Sequence, residues 1–523
     1  MPNRSTDALF QLVHSLQKSE KRNFKLYVTR NSSSEELKSV QLFDALDKMS
    51  EYDEELLLKR TPGIKKQQLS NIKANLYKQI LASLRLLEND ENIDILLHEQ
   101  LDFARILYNK GLYLQSLKML DKMKETAKAH NQLHILVQVL FLEKKIESLH
   151  ITRSMQDRAD RLSGESDKVL ERLTLLTRLS NLALQLYSWY IKHGHARSKG
   201  DETAIKQFFS DHLPAEAARA EGFYEKLYLY QSYTWYAFIR HDFLQYYRYT
   251  QKWVDLFTEQ PLMIGIETGN YIKGVHNLLN AHFVLQNYQK FDAALKEFER
   301  FAQSKAVTEN ENNRIQVFVY LYTSKINQHF LHGTFKEGLA LVPEIEEKLQ
   351  EYALFLDRHR VLVFYYKIAS LYFGSGDYAK TIDYLNKIIH WKVDLRNDLQ
   401  CYARLLHLIA HYELGNYELM EYLIKSVYRF MAKMENLSLV EEEIFHFLRR
   451  SLSLSPQLIK PAFQDLAHKL KNLERNQSET RAFMYLDFVS WLESKVDGKP
   501  VYAVIREKFL AAKRNSGKVY TIE

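Results

Sequence analysis

Residues 365–389, YYKIASLYFGSGDYAKTIDYLNKII, decide how the chain is read. Large side chains at Tyr365, Ile368 and Tyr372, with a small one at Ala369, recur at the three- and four-residue spacing of a helix face. Gly376 ends that helix, because glycine accepts a left-handed backbone at no steric cost. Tyr378 follows two positions on, and Thr381, Leu385 and Ile388 mark the face of a second helix. In this reading the aromatic wedges between the two helices, and the small residue at 381 lets their backbones approach.

The same signature recurs along the chain. It reads GLYLQS around Gly111, Tyr113 and Ser116, HDFLQY around Phe243, and QKFDAA around Phe291 and Ala294. It returns as GTFKEG (Gly333, Phe335, Gly338) and GNYELM (Gly415, Tyr417). The later aromatics, 243, 291, 335, 378 and 417, are spaced 48, 44, 43 and 39 residues apart. The gap from Tyr113 to Phe243 has room for degenerate turns near Thr152–Ser154 and His193–His195. One helix pair cannot bury its apolar face alone, so a period of this length predicts stacked pairs.

In these residues the chain resembles the tetratricopeptide repeat family. Residues 365–389 carry the best match, and Phe103, Ala104, Leu107, Gly111, Tyr113, Ser116 and Leu120 carry a second. The period exceeds the usual thirty-four of that family. The resemblance implies an all-α, right-handed solenoid of stacked antiparallel helix pairs over residues 91–436. An N-terminal helical domain is expected over 1–90, with NSSSEE and TPG breaking its helices. A C-terminal helical cap is expected over 437–513, with Pro456 opening one helix, and a loose tail over 514–523. Polar-faced terminal units are what a solenoid requires.

Composition agrees with long helices. Only 16 Gly and 8 Pro occur in 523 residues of 46% apolar content, too few for the corners of a strand-rich fold. A single cysteine, Cys401, excludes an intramolecular disulfide framework and fits a reducing compartment. No secretion signal and no run of eighteen apolar residues is seen, so a cytoplasmic protein without a membrane span is expected. The net charge of +7 is spread over 72 basic and 65 acidic residues. Short runs such as Lys65–Lys66 and Lys144–Lys145 do not make the concentrated patch of a nucleic-acid binder.

Few residues suggest chemistry. His407 and His411 are spaced like zinc ligands on a helix, but Leu408 stands where the HExxH glutamate would be. HGH at 193–195 lies in an expected loop and points to a ligand site more weakly. Gly374 and Gly376 follow a helix without the GxxxxGK context of a phosphate loop, and read as repeat turns. No nucleophile elbow or other catalytic constellation is found, so no enzyme, cofactor or metal is expected. The stretch 223–253 holds thirteen aromatics in thirty-one positions. It reads either as packing between neighbouring helices or as an aromatic groove wall; Glu225, Asp242 and Asp255 interrupt the basic track that base stacking requires.

The expected function is that of a protein–protein interaction scaffold. In the resembled family the first helix of each pair contacts the partner peptide. By position this assigns Arg105, Tyr108, Gln231, Trp235, Asn327, Phe330, Tyr366, Ser370 and Phe373 to the groove. The alternative is a peptide-sensing regulator, as in some bacteria, whose N-terminal domain binds DNA or a signalling protein. Its supporting feature is the run of Lys65, Lys66, Lys73, Lys78 and Arg85 on an expected helix, although residues 1–90 carry a net of only +3.

Overall fold

In a computed structural model, the described residues are 7–29, 34–88, 92–150, 157–391, 397–434, 437–474 and 479–516. Among them every regular element is helical and no strand occurs. The expected breaks at 152–154 and within NSSSEE, and residues 517–523, fall wholly or partly outside the described residues.

The turns that pair the helices share one backbone solution. Gly111, Gly333, Gly376 and Gly415 have φ of 77°, 67°, 92° and 73°. After each, the next amide reaches back five residues: Leu112 to the Leu107 carbonyl at 3.0 Å, Thr334 to His329 at 3.0 Å, Asp377 to Tyr372 at 3.0 Å, Asn416 to His411 at 3.1 Å. This is the bond of a Schellman cap, which satisfies an orphan carbonyl at the helix end. His241 and Gln286 adopt the same left-handed form at 57° and 53°, with the same five-residue bond from Asp242 and Asn287.

These turns join Ile93–Asn109 to Tyr113–Ala129, Phe223–Ile239 to Phe243–Glu259, and Thr268–Val284 to Tyr288–Phe301. They also join Glu311–His332 to Phe335–Gly338, Arg358–Ser375 to Tyr378–Ile389, and Asn397–Glu413 to Tyr417–Lys433. Each pair packs together, and within residues 223–433 neighbouring pairs pack on one another. The small residue works as expected. Ser116 and Thr381 are fully buried, and their hydroxyls donate to the Ala104 and Ala369 carbonyls of the partner helix at 2.8 and 3.4 Å.

Two local readings are corrected. In the pair at 268–301 the turn residue is Gln286 and the second helix opens at Tyr288, not around Phe291, which lies fully buried one turn further on. Gly374 is not a turn residue but lies inside Arg358–Ser375, where a β-carbon would stand 2.1 Å from the Phe335 ring. Gly194 does sit in a left-handed turn, at the end of the 36-residue helix Arg158–His193.

The chain divides into two compact units, residues 1–170 and 171–523. In the first, helices Ala8–Ser15, Lys18–Thr29, Ser34–Asp47, Glu54–Arg60 and Lys66–Glu88 enclose a core of their own that includes Val13, Phe24, Phe43, Leu76 and Ile80. The same unit buries an ionic network: the Glu143 carboxylate is fully buried, 2.8 Å from the Lys124 ammonium and bonded to Arg158. In the second unit one continuous core runs from Ile315 to Val501. It is closed by Leu439–Ser451, Pro456–Glu474, Phe488–Asp497 and Val501–Ser516, the last helix including residues 514–516 of the expected tail.

Candidate functional site

In the second unit the first helices of successive pairs form a layer. Thr268–Val284 packs on Glu311–His332, which packs on Arg358–Ser375, which packs on Asn397–Glu413. Most of the groove candidates stand on this layer, and the structure places them unequally.

Gln231 is buried, and its amide donates to Asn270 Oδ1 at 3.0 Å. Trp235 is 7% exposed, with its ring centroid 4.9 Å from that of Tyr187 and 5.6 Å from that of Tyr190. The aromatic stretch around it is largely interior, because Phe209, Tyr233, Tyr236, Phe238 and Tyr246 join the same cluster. Asn327 is buried and accepts from the Lys367 ammonium at 2.5 Å. Phe330 is half-buried beneath that ammonium at 5.6 Å. In the first unit, Arg105 is exposed and reaches Asp102 and Gln138, while half-buried Tyr108 packs on Tyr113 and His150.

Tyr366, Ser370 and Phe373 are buried, in part for a reason that helix periodicity does not reveal. The C-terminal segment lies over this part of the layer. Tyr485 stacks on Tyr402 with centroids 4.0 Å apart, and its carbonyl accepts from the Tyr366 hydroxyl at 3.1 Å. Burial pushes the Tyr366 hydroxyl well above the ordinary tyrosine range. The helix Val501–Ser516 packs on both Glu311–His332 and Arg358–Ser375. Arg506 donates to the His332 carbonyl at 3.1 Å, capping that helix end, and Phe509 faces the Tyr288 and His332 rings.

Between Trp235 and Asn327 lies a cluster that sequence inspection missed. The Lys273 ammonium stands 4.4 Å from the Tyr187 ring centroid and 5.5 Å from that of Trp235. The His276 ring stacks on Tyr320 at 4.4 Å, and the Arg360 guanidinium lies 5.8 Å from the same Tyr320 ring. Arg360 pairs with Asp357 at 3.3 Å. Neither Lys273 nor Lys367 has an ion-pair partner among the described residues. Burial, with Arg360 adding repulsion at Lys273, lowers both ammonium groups to about 8. Burial and the charges of Lys367, Lys273 and Arg360 hold His276 neutral, at about 3. Its Nδ1 is buried without a hydrogen-bond partner.

His407 and His411 have ring centroids 4.5 Å apart, and His411 Nδ1 is bonded to the Asn416 amide. No group of three or more metal-ligating side chains occurs among the described residues, and no helix among them is long and apolar enough to cross a membrane. Set against models of known families, curated proteins and solved structures, the chain matches none.

Proposed function

We propose that this chain is a non-catalytic interaction scaffold: a tetratricopeptide-like solenoid that holds a segment of a partner protein along its layer of first helices, in the cytoplasm. The observation that carries this reading is the polar and cationic row set into that layer. Lys273 and Lys367 are desolvated without an ion-pair partner among the described residues, half-buried Arg360 stands beside Asp357, and Gln231, Asn270 and Asn327 are held in place by one another, by Glu267 or by Lys367. Apolar side chains would pack there at less cost, and such polar groups are suited to meeting a ligand. Affinity capture with the full chain, followed by mass spectrometry, tests it. A partner retained by the wild type and lost with Arg360→Glu supports the reading, and equal capture by both overturns it.

A second reading, a regulator whose N-terminal domain binds DNA or a signalling protein, draws on the separate core of residues 9–80. Its basic face is weaker than the sequence suggests. Lys73 is partly buried against Asp7 and Tyr52, Lys66 lies 3.9 Å from Glu54, and Lys65 precedes the helix Lys66–Glu88. The duplex-DNA affinity of the full chain at physiological salt decides this point. Binding no tighter than about 10⁻⁶ M is non-specific.

A further inference from the structure

Residues 482–487, AFMYLD, lie against the first-helix layer without being part of it. The short helix Thr480–Phe483 ends there, Phe488–Asp497 begins after it, and residues 484–487 between them belong to no helix. Phe483, Met484, Tyr485 and Leu486 are half-buried, and Asp487 is exposed. The surface that receives them is different in kind. Tyr366, Asp398 and Tyr402 are buried on two consecutive first helices, and the Tyr402 hydroxyl donates to buried Glu441 at 2.7 Å, which fixes its ring. The Tyr485 ring lies on that ring with centroids 4.0 Å apart and planes 12° apart, and meets the Tyr366 ring edge-on at 6.2 Å. Its hydroxyl donates to the Asp398 carboxylate, and its carbonyl accepts from the Tyr366 hydroxyl at 3.1 Å. Met484, next to it, packs on the cluster that holds Trp235 and Phe238.

We propose that the surface formed by Tyr366, Asp398 and Tyr402 is a recognition site for a tyrosine-bearing segment of a partner protein, and that Tyr485 is its internal stand-in. The inference rests on the scaffold reading and names the class of segment that the layer holds. Three features select tyrosine together: a flat ring to stack on, a carboxylate for the phenol hydroxyl, and a hydroxyl for the backbone carbonyl. Phenylalanine would leave buried Asp398 without that donor, and a phosphate on the tyrosine would meet the Asp398 carboxylate as a like charge. The stand-in is displaceable, because half-buried side chains on a non-helical stretch open before a packed core does.

The test titrates the full chain with the peptide AFMYLD, up to millimolar concentration, by calorimetry. Wild type and Tyr485→Ala are compared, with circular dichroism checking the fold of each. Saturable binding to Tyr485→Ala is expected. Binding to wild type should be weaker by about tenfold or more, since a site closed roughly nine-tenths of the time costs an outside ligand that factor. Peptides carrying phenylalanine or phosphotyrosine in place of the tyrosine should bind Tyr485→Ala about tenfold more weakly or worse. If Tyr485→Ala does not fold, Tyr485→Phe, which keeps the stack and loses the hydroxyl, takes its place with the same expected direction. No binding to the folded variant, equal binding by wild type and variant, or indifference to the tyrosine hydroxyl overturns the site. A wild type that is dimeric and a Tyr485→Ala that is monomeric assign the occupant to a second copy and overturn the partner assignment. If the peptide fails while affinity capture still loses a partner with Arg360→Glu, the scaffold reading survives that failure.

Discussion

Replacing Lys273 by methionine should make the second unit more stable. The ammonium is held at about 8 against an ordinary 10.5, which corresponds to about 3 kcal/mol against the charged form at neutral pH. Methionine keeps the unbranched stem that packs beside Tyr187 and Trp235 but removes the charge. Two cation–aromatic contacts are lost, together about 1–2 kcal/mol. The net gain is about 1–2 kcal/mol, or a melting temperature higher by roughly 2–3 °C for a unit of this size. All five tryptophans, 189, 235, 253, 391 and 491, lie in residues 171–523, so tryptophan fluorescence during denaturation reports that unit alone. The gain has a pH signature. Because the folded pKa lies below the unfolded one, the unfolded wild type binds the extra proton between about pH 8 and 10.5. Wild-type stability therefore rises through that window, and the advantage of Lys273→Met shrinks across it. A variant less stable than wild type at pH 7, or an advantage that does not change with pH, would refute the account of Lys273 as an uncompensated buried cation.

Three further outcomes are expected. Gly333→Ala forces a β-carbon into a left-handed residue (φ 67°) and to 2.5 Å from the Arg506 amide, so it should cost about 2–3 kcal/mol; hydrogen exchange in 501–516 should accelerate before that of the rest of the unit. Glu143→Ala removes the fully buried carboxylate that Lys124 and Arg158 share, leaving them Glu165 and Glu147, and should cost about 1–3 kcal/mol; far-ultraviolet circular dichroism should show an early transition that tryptophan fluorescence does not follow. His276, His282 and His407 are held neutral, at about 3, 4 and 4 respectively, chiefly by burial. Their folded pKa values lie below the unfolded one, so stability present above about pH 6.5 should fall as the medium is acidified, by roughly 1–2 kcal/mol per histidine at pH 5, measured by urea titration at each pH.

The helix pairs were legible because their turns have a local cause. Gly111, Gly333, Gly376 and Gly415 announce a left-handed backbone, and each has an aromatic two positions on. Gln286 adopts the same conformation without a glycine, which is why the neighbouring register was read from Phe291 instead. The cover that the C-terminal segment lays over Tyr366 and Tyr402 was not legible, since contacts between Tyr485 and those residues arise only from folding. The cation cluster was hidden for a similar reason. Lys273 and Lys367 look like surface lysines in sequence; Lys273 shares a helix with His276, but Lys367 stands on Arg358–Ser375, which packs on the far side of Glu311–His332.

The most direct test of the central claim is site-specific photo-crosslinking in the native cell. A photoreactive residue is placed at Asn270, half-buried on the first-helix layer, and separately at Tyr422, 73% exposed on the second helix Tyr417–Lys433. The account predicts a discrete crosslinked partner from position 270 and none from position 422. Crosslinks of equal yield at both positions, or from 422 alone, would contradict it.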